Sequence, residues 1–107
     1  MTTYHYIVHS NAAPFFSERD SGFIEAKNPM EALKKVVKEY THPSGIYSAI
    51  VSECTPKNKT LARYLSKNAA TQDAAPTGAH SWKNHLLYVD GVKQPTYKER
   101  YELVVEE

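Results

Sequence analysis

The chain has little of what most readily identifies a protein from its sequence. It holds one cysteine, Cys54, in 107 residues. No intrachain disulfide can form, which excludes a disulfide-stapled scaffold and fits a reducing compartment. Glycine is scarce too, with four residues. They build neither a P-loop nor a dinucleotide fingerprint, so nucleotide-dependent catalysis on those familiar folds is not expected, and no cofactor is implied. Long apolar runs are absent, and every run falls far short of the roughly 20 residues of a membrane span. The opening MTTYHYIVHS has no basic leader region and no long apolar stretch. A cytoplasmic location without membrane contact is the expectation. Surplus charge is also missing: 13 basic and 12 acidic residues leave a net +1. An argument for nucleic acid must therefore rest on how charge is distributed.

What is present is the composition of an ordinary globular chain, 41% hydrophobic and 23% charged. The length suits a single domain over residues 1–107. A chain of this size buries about 65% of its unfolded surface, enough for one modest core. Eight tyrosines serve equally as core side chains and as contact groups with a polar tip.

The pattern along the chain mixes two periods. YHYIV (4–8) is aromatic and β-branched and reads as a strand. Residues 11–22 read as a loop in which Phe15 and Phe16 tuck against the core, and FIEA (23–26) as a second strand. Asn28, Pro29 and Glu31 make a capping pattern. Leu33, Val36, Val37 and Tyr40 follow at helical spacing, with His42, Pro43 and Gly45 closing the helix. Glu31 and Lys35 stand at the favourable i, i+4 distance. IYSAIV (46–51) reads as a buried strand. A second helix is expected within 55–72, with Leu61, Tyr64 and Leu65 inward. Residues 68–82 lose large apolar side chains and read as a long mobile loop. HLLYV (85–89) is a strand, and Asp90-Gly91 marks a hairpin before Val92. Alternation resumes from Tyr97, with Tyr101, Leu103 and Val105 on one face. The order β-β-α-β-α-loop-β-β implies an α+β, two-layer fold: a mostly antiparallel sheet with two helices on one face. Its start allows a ferredoxin-like arrangement.

The stretch TPKNKTLARYLSKNAATQ (55–72) carries Lys57, Lys59, Arg63 and Lys67 and no acid. On a helix, positions 59, 63 and 67 form one stripe, a shape that could follow a phosphate backbone. The plainer reading is a solvated outer face of an amphipathic helix. GAHSWKNH (78–85) then gathers His80, Trp82 and His85 at the end of the loop, and loops on rigid scaffolds often carry binding residues. Trp82 either anchors the loop to the core or meets a partner.

Catalytic and metal readings find less support. His5 and His9 share a strand face but stand about 13 Å apart along it. No histidine has a cysteine or carboxylate at recognised metal spacing. Cys54 lacks a local nucleophile signature. No catalytic, cofactor-binding or metal-binding residue is assigned. The expectation is a small non-catalytic binding or adaptor domain. It meets a protein partner through the basic helix and following loop: Lys57, Lys59, Arg63, Lys67, His80, Trp82 and His85. Two alternatives stay open at this level: a nucleic-acid-binding protein with that helix on phosphates, and a small enzyme with His80, His85 or Cys54 in a cleft. A homodimer through sheet edges or tyrosine-rich faces also fits the composition.

Overall fold

Alternation along the first strand decides where the core lies. In the computed structural model, which describes residues 1–10, 19–40 and 45–104, Tyr4 and Val8 are buried. The elements are β1 (Thr2–Ser10), β2 (Arg19–Ala26), α1 (Pro29–Glu39), β3 (Ile46–Glu53), β4 (Thr60–Leu65), α2 (Lys67–Ala74), β5 (His80–Lys83), β6 (Leu86–Val89), β7 (Val92–Lys93) and β8 (Arg100–Leu103). A five-stranded sheet has the order β2-β1-β3-β4-β8, and a three-stranded sheet the order β5-β6-β7. Every pairing among the described residues is antiparallel.

Register carries the alternation across the large sheet. Val8, Ala49, Tyr64 and Tyr101 lie in one row, and Tyr6, Val51, Ala62 and Leu103 in the next. Paired residues share a face, so these rows form the floor on which α1 lies. Ala32, Leu33 and Val36 are the buried residues of α1, and they join Tyr4, Val8, Ala26, Ala49, Val51, Ala62 and Tyr64 in the main core. Four alanines in that set let helix and sheet approach closely. Leu33 is among the largest fully buried side chains, and its burial alone contributes roughly 1.5–3 kcal/mol. The Tyr64 and Tyr101 rings pack 4.9 Å apart, tilted by 52°.

The capping pattern forms as read. Asn28 Oδ1 accepts a 2.8 Å hydrogen bond from the Glu31 amide, Pro29 opens the helix, and Lys35 Nζ lies 3.6 Å from Glu31. The second helix closes a separate, smaller cluster in which Ala69 and Ala70 pack with Leu65 and Tyr47. Leu65 follows Tyr64 and so points to the sheet's other face. This refines the expected layering: α1 covers one face, and α2 meets the end of β3 and β4 from the other.

The α+β architecture with two helices and a mostly antiparallel sheet is as the sequence implied. Several local expectations change. The stretch 55–72 is not a helix: it holds a turn, then strand β4, and only its last part enters α2. Leu61, Tyr64 and Leu65 satisfy a helical spacing, but pairing with β3 and β8 selects the strand period. The expected long loop 68–82 is largely α2 and β5. Strand β2 begins earlier than expected, because Asp20, Ser21 and Gly22 pair with Val8, Ile7 and Tyr6. The chain opens with a hairpin, so its strand order is not the split βαβ of ferredoxin-like folds. The expectations for Phe15, Phe16, His42, Pro43 and Val105 lie outside the described residues. Among the described residues, no helix is long and apolar enough to cross a membrane.

Candidate partner-binding surface

Seven residues carried the expectation of a binding surface, and the fold distributes them over two regions. Lys57 and Lys59 belong to the exposed turn between β3 and β4. Arg63 lies within β4, and Lys67 is the first residue of α2. The strand between Lys59 and Lys67 spans about 17 Å at the usual rise per residue, and its side chains alternate between faces. The basic stripe along one helix therefore does not form. Arg63 is also engaged. It pairs with Glu102 and lies 3.8 Å from Asp73, and Arg100 contacts both of those acids. Two cations and two anions balance locally. These side chains keep about a third or more of their surface exposed, so each pair contributes only about 0.2–1 kcal/mol. The network's role is to tie α2 to β4 and β8.

The other three residues come together on the small sheet. Ser66 caps α2 by accepting from the Ala69 amide. Tyr97 N–H donates to Thr71 Oγ1 over 3.0 Å, which holds the chain beyond β7 against α2. Asp90 links the sheet's opening to its second turn: its Oδ1 accepts from the Ala79 amide at 3.0 Å, and its own amide donates to Ala79 O at 3.0 Å. A glycine at 78 is required here. Its φ is +157°, and an added Cβ would lie 2.9 Å from Val89 Cγ1 and collide with the Asp90 carboxylate.

Within this frame β5 pairs His80 with Val89 and Trp82 with Leu87. Partners share a face, so both rings stand on the side that buries Leu87 (1% exposed) and Val89 (3%). Trp82 nonetheless keeps 40% of its surface open to solvent. One part of the indole thus anchors the hairpin, and the rest forms its outer margin. His80 Nε2 lies 3.1 Å from Pro76 O. A carbonyl oxygen only accepts, so that contact has Nε2 donating. The same imidazole lines a shallow depression with Tyr47, Leu65, Ala69, Gln72 and Asp73. Tyr47 donates to Gln72 Oε1 there at 2.7 Å. Burial, and then the Asp73 carboxylate, pushes the Tyr47 phenol up from its usual value. The depression is lined from both α2 and β5, so His80 and the Ala69, Gln72 and Asp73 side of the helix form one continuous surface, whose lining does not include Lys67.

His85 sits at the turn of this hairpin, and the turn is unusual. Asn84 has φ +54° and His85 φ +63°, the backbone of a type I′ turn, whose second position favours glycine. The neighbouring β6–β7 turn uses that solution, with Asp90 at +51° and Gly91 at +80°. Sequence reading found the Asp-Gly turn and missed the Asn-His one, because histidine is not a turn residue by composition. Positive φ is tolerated by asparagine and histidine more than by most residues, which is the only signal the sequence carried.

Among the described residues, Cys54 and its neighbours lie away from the His80 depression. Cys54 is exposed and lines a depression with His5, Phe23, Glu53 and Pro56. Tyr47 of the His80 depression lies at the opposite end of β3, roughly 23 Å away by strand rise. The cleft combining His80, His85 and Cys54 therefore does not form. His9 Nδ1 lies 3.5 Å from Ser48 Oγ, a cross-strand pair on neighbouring strands. Among the described residues, no three His, Cys, Asp or Glu side chains gather as metal ligands. No family model, curated protein or solved structure matches this chain.

Proposed function

We propose that this chain is a small non-catalytic binding domain that meets a protein partner through the β5–β6 hairpin and the adjoining end of α2. The contact groups are Trp82 and His85 on the hairpin, His80 at the junction and Lys67 at the start of the helix. The observation that carries the reading is the pairing of a half-open indole with a left-handed histidine on one hairpin. A non-glycine residue in that conformation costs roughly 1–2 kcal/mol. The chain uses glycine at the equivalent place in the next turn, one strand on, so the strain at His85 supports a use for its imidazole. Backbone strain of this kind gathers at ligand clamps and contact sites. An exposed tryptophan beside it is the residue type most enriched at interface hot spots. Lys57 and Lys59, at the far end of β4, belong to no part of this surface.

The test is a pull-down from extract of the native cell, using the full chain and a Trp82→Ala variant with an unchanged melting curve. Retention of a discrete partner by the parent and its loss from Trp82→Ala supports the reading. A partner held equally by both would move the contact elsewhere. Retardation of nucleic acid that weakens steeply with salt and requires Lys57 and Lys59 would replace it with the phosphate-binding alternative.

A further inference from the structure

The outer face of the small sheet sets an apolar pair between two lysines. Leu87 and Val89 of β6 are buried, so their neighbours Leu86 and Tyr88 stand on the opposite face. There Lys83 pairs with Leu86, and Ser81, Tyr88 and Lys93 form the next row. Leu86 and Tyr88 are half-buried, while Ser81, Lys83 and Lys93 are exposed. None of these strand positions is acidic. Residues 79–98 hold three lysines and one acid, Asp90, whose carboxylate accepts from the Ala79 amide. Asp73 of α2 is engaged with Arg63 and Arg100. Among the described residues, neither Lys83 nor Lys93 has an ion-pair partner.

Charge and spacing select the occupant. Lys83 and Lys93 are two strands apart and two residues out of step, about 12 Å between Cα atoms. In an extended chain, side chains at i and i+4 share a face and stand about 13–14 Å apart. A segment lying diagonally across the sheet therefore sets acids at i and i+4 against Lys83 and Lys93. Its side chain at i+2 then covers the space between Leu86 and Tyr88, where an apolar group is favoured. A phosphate chain fits less well. Two cations make few of the contacts that release counterions. Leu86 offers no ring for a base to stack on, and the chain carries a net charge of only +1.

Resting on the reading that the β5–β6 hairpin is the contact element, we infer that its outer face docks an extended acidic segment of a protein, with an apolar residue between two carboxylates. Amide NMR spectra of the full chain, titrated with the end-blocked peptide Glu-Thr-Leu-Thr-Glu, test it. The amides of Lys83, Leu86, Tyr88 and Lys93 are expected to shift together and saturably. The same peptide with glutamine at both ends is expected to bind at least about threefold more weakly, the scale of two exposed ion pairs. The double variant Lys83→Glu with Lys93→Glu is expected to lose the shifts. Both positions are exposed, so its melting curve is expected to match the parent's. No shift at the peptide's solubility limit overturns the inference. So does equal affinity for the glutamine peptide, or tighter binding of oligothymidylate at the same amides. A native partner that Trp82→Ala releases but the double variant retains also overturns it, and leaves the hairpin reading standing. Peptide shifts as expected, with a native partner that the double variant releases and Trp82→Ala retains, would place the contact on this face rather than at the indole.

Discussion

Replacing His85 by glycine separates stability from binding at one residue. The native φ of +63° costs a histidine roughly 1–2 kcal/mol, toward the low end because histidine enters the left-handed region more readily than most residues. Glycine removes that cost but gives back about 0.4–1 kcal/mol by widening the unfolded ensemble. The net is a stabilisation of up to about 0.6 kcal/mol, which raises the melting temperature by up to roughly 5 °C in a domain near this size. The imidazole is exposed, so no packing loss opposes the gain. Calorimetric melting reads the first effect, and titration against the captured partner reads the second. His85→Gly is expected to melt higher and to bind at least about tenfold more weakly. The reciprocal change, Gly91→His, places the same strain on the next turn, where nothing lies within 4 Å of an added Cβ. It is expected to melt lower and bind normally. A higher melt with unchanged affinity would show that the strained histidine serves no contact. A lower melt would show that the turn is not strained at all.

Three further outcomes follow from the packing. Leu33→Ala leaves a cavity between α1 and the sheet, and urea denaturation is expected to report a loss of about 2–5 kcal/mol; a loss below about 1 kcal/mol would place Leu33 outside the core. Gly78→Ala drives a methyl against Val89 and the Asp90 carboxylate and is expected to cost about 1–3 kcal/mol, with faster exchange of the Ala79 amide, whereas Gly91→Ala meets only the backbone cost of its positive φ. Tyr47, Tyr64 and Tyr101 each carry a phenol pushed above its usual value near 10, in every case first by burial. For Tyr64 the hydrogen bond to Glu99 and that carboxylate's charge add to the shift, and for Tyr101 the Glu99 charge adds. A raised folded pKa means the folded state holds the proton more tightly. The resulting stability is complete below the unfolded value and falls as pH rises toward the folded one. Phenolate absorbance is expected to lag behind that of free tyrosine above pH 10, with the urea midpoint falling over the same range; a midpoint flat through that range would contradict the burial of these rings.

The legibility of the fold varied with how many signals agreed at each element. Helix α1 had a cap, a proline, a first-turn acid and an apolar stripe, and all point one way. Strand β1 had alternation and β-formers. Residues 60–65 had six positions that fit either period, and the cross-strand partners that decided the matter lie far away in sequence. The second helix, expected within 55–72, lies later, at Lys67–Ala74, and its place was hard to read because its buried face is made of Ala69, Ala70 and Thr71, small side chains that leave no apolar stripe. Its start was nevertheless written at Ser66, whose hydroxyl accepts from the amide three residues on, the usual capping geometry. Strand β5 has no buried position, so no alternation could reveal it. The candidate surface was half visible. His80, Trp82 and His85 stood out by composition and do share a hairpin region. The basic residues stood out by charge, and the strand that runs through them separates them.

The measurement that bears most directly on the proposed contact is site-specific photo-crosslinking in native extract. A crosslinking residue at position 82 is compared with one at position 34, which is exposed on the outer side of α1. The account predicts a discrete protein adduct from position 82, absent from position 34 and lost when His85→Gly is added. Equal adducts from both positions, or an adduct from 34 alone, would contradict it.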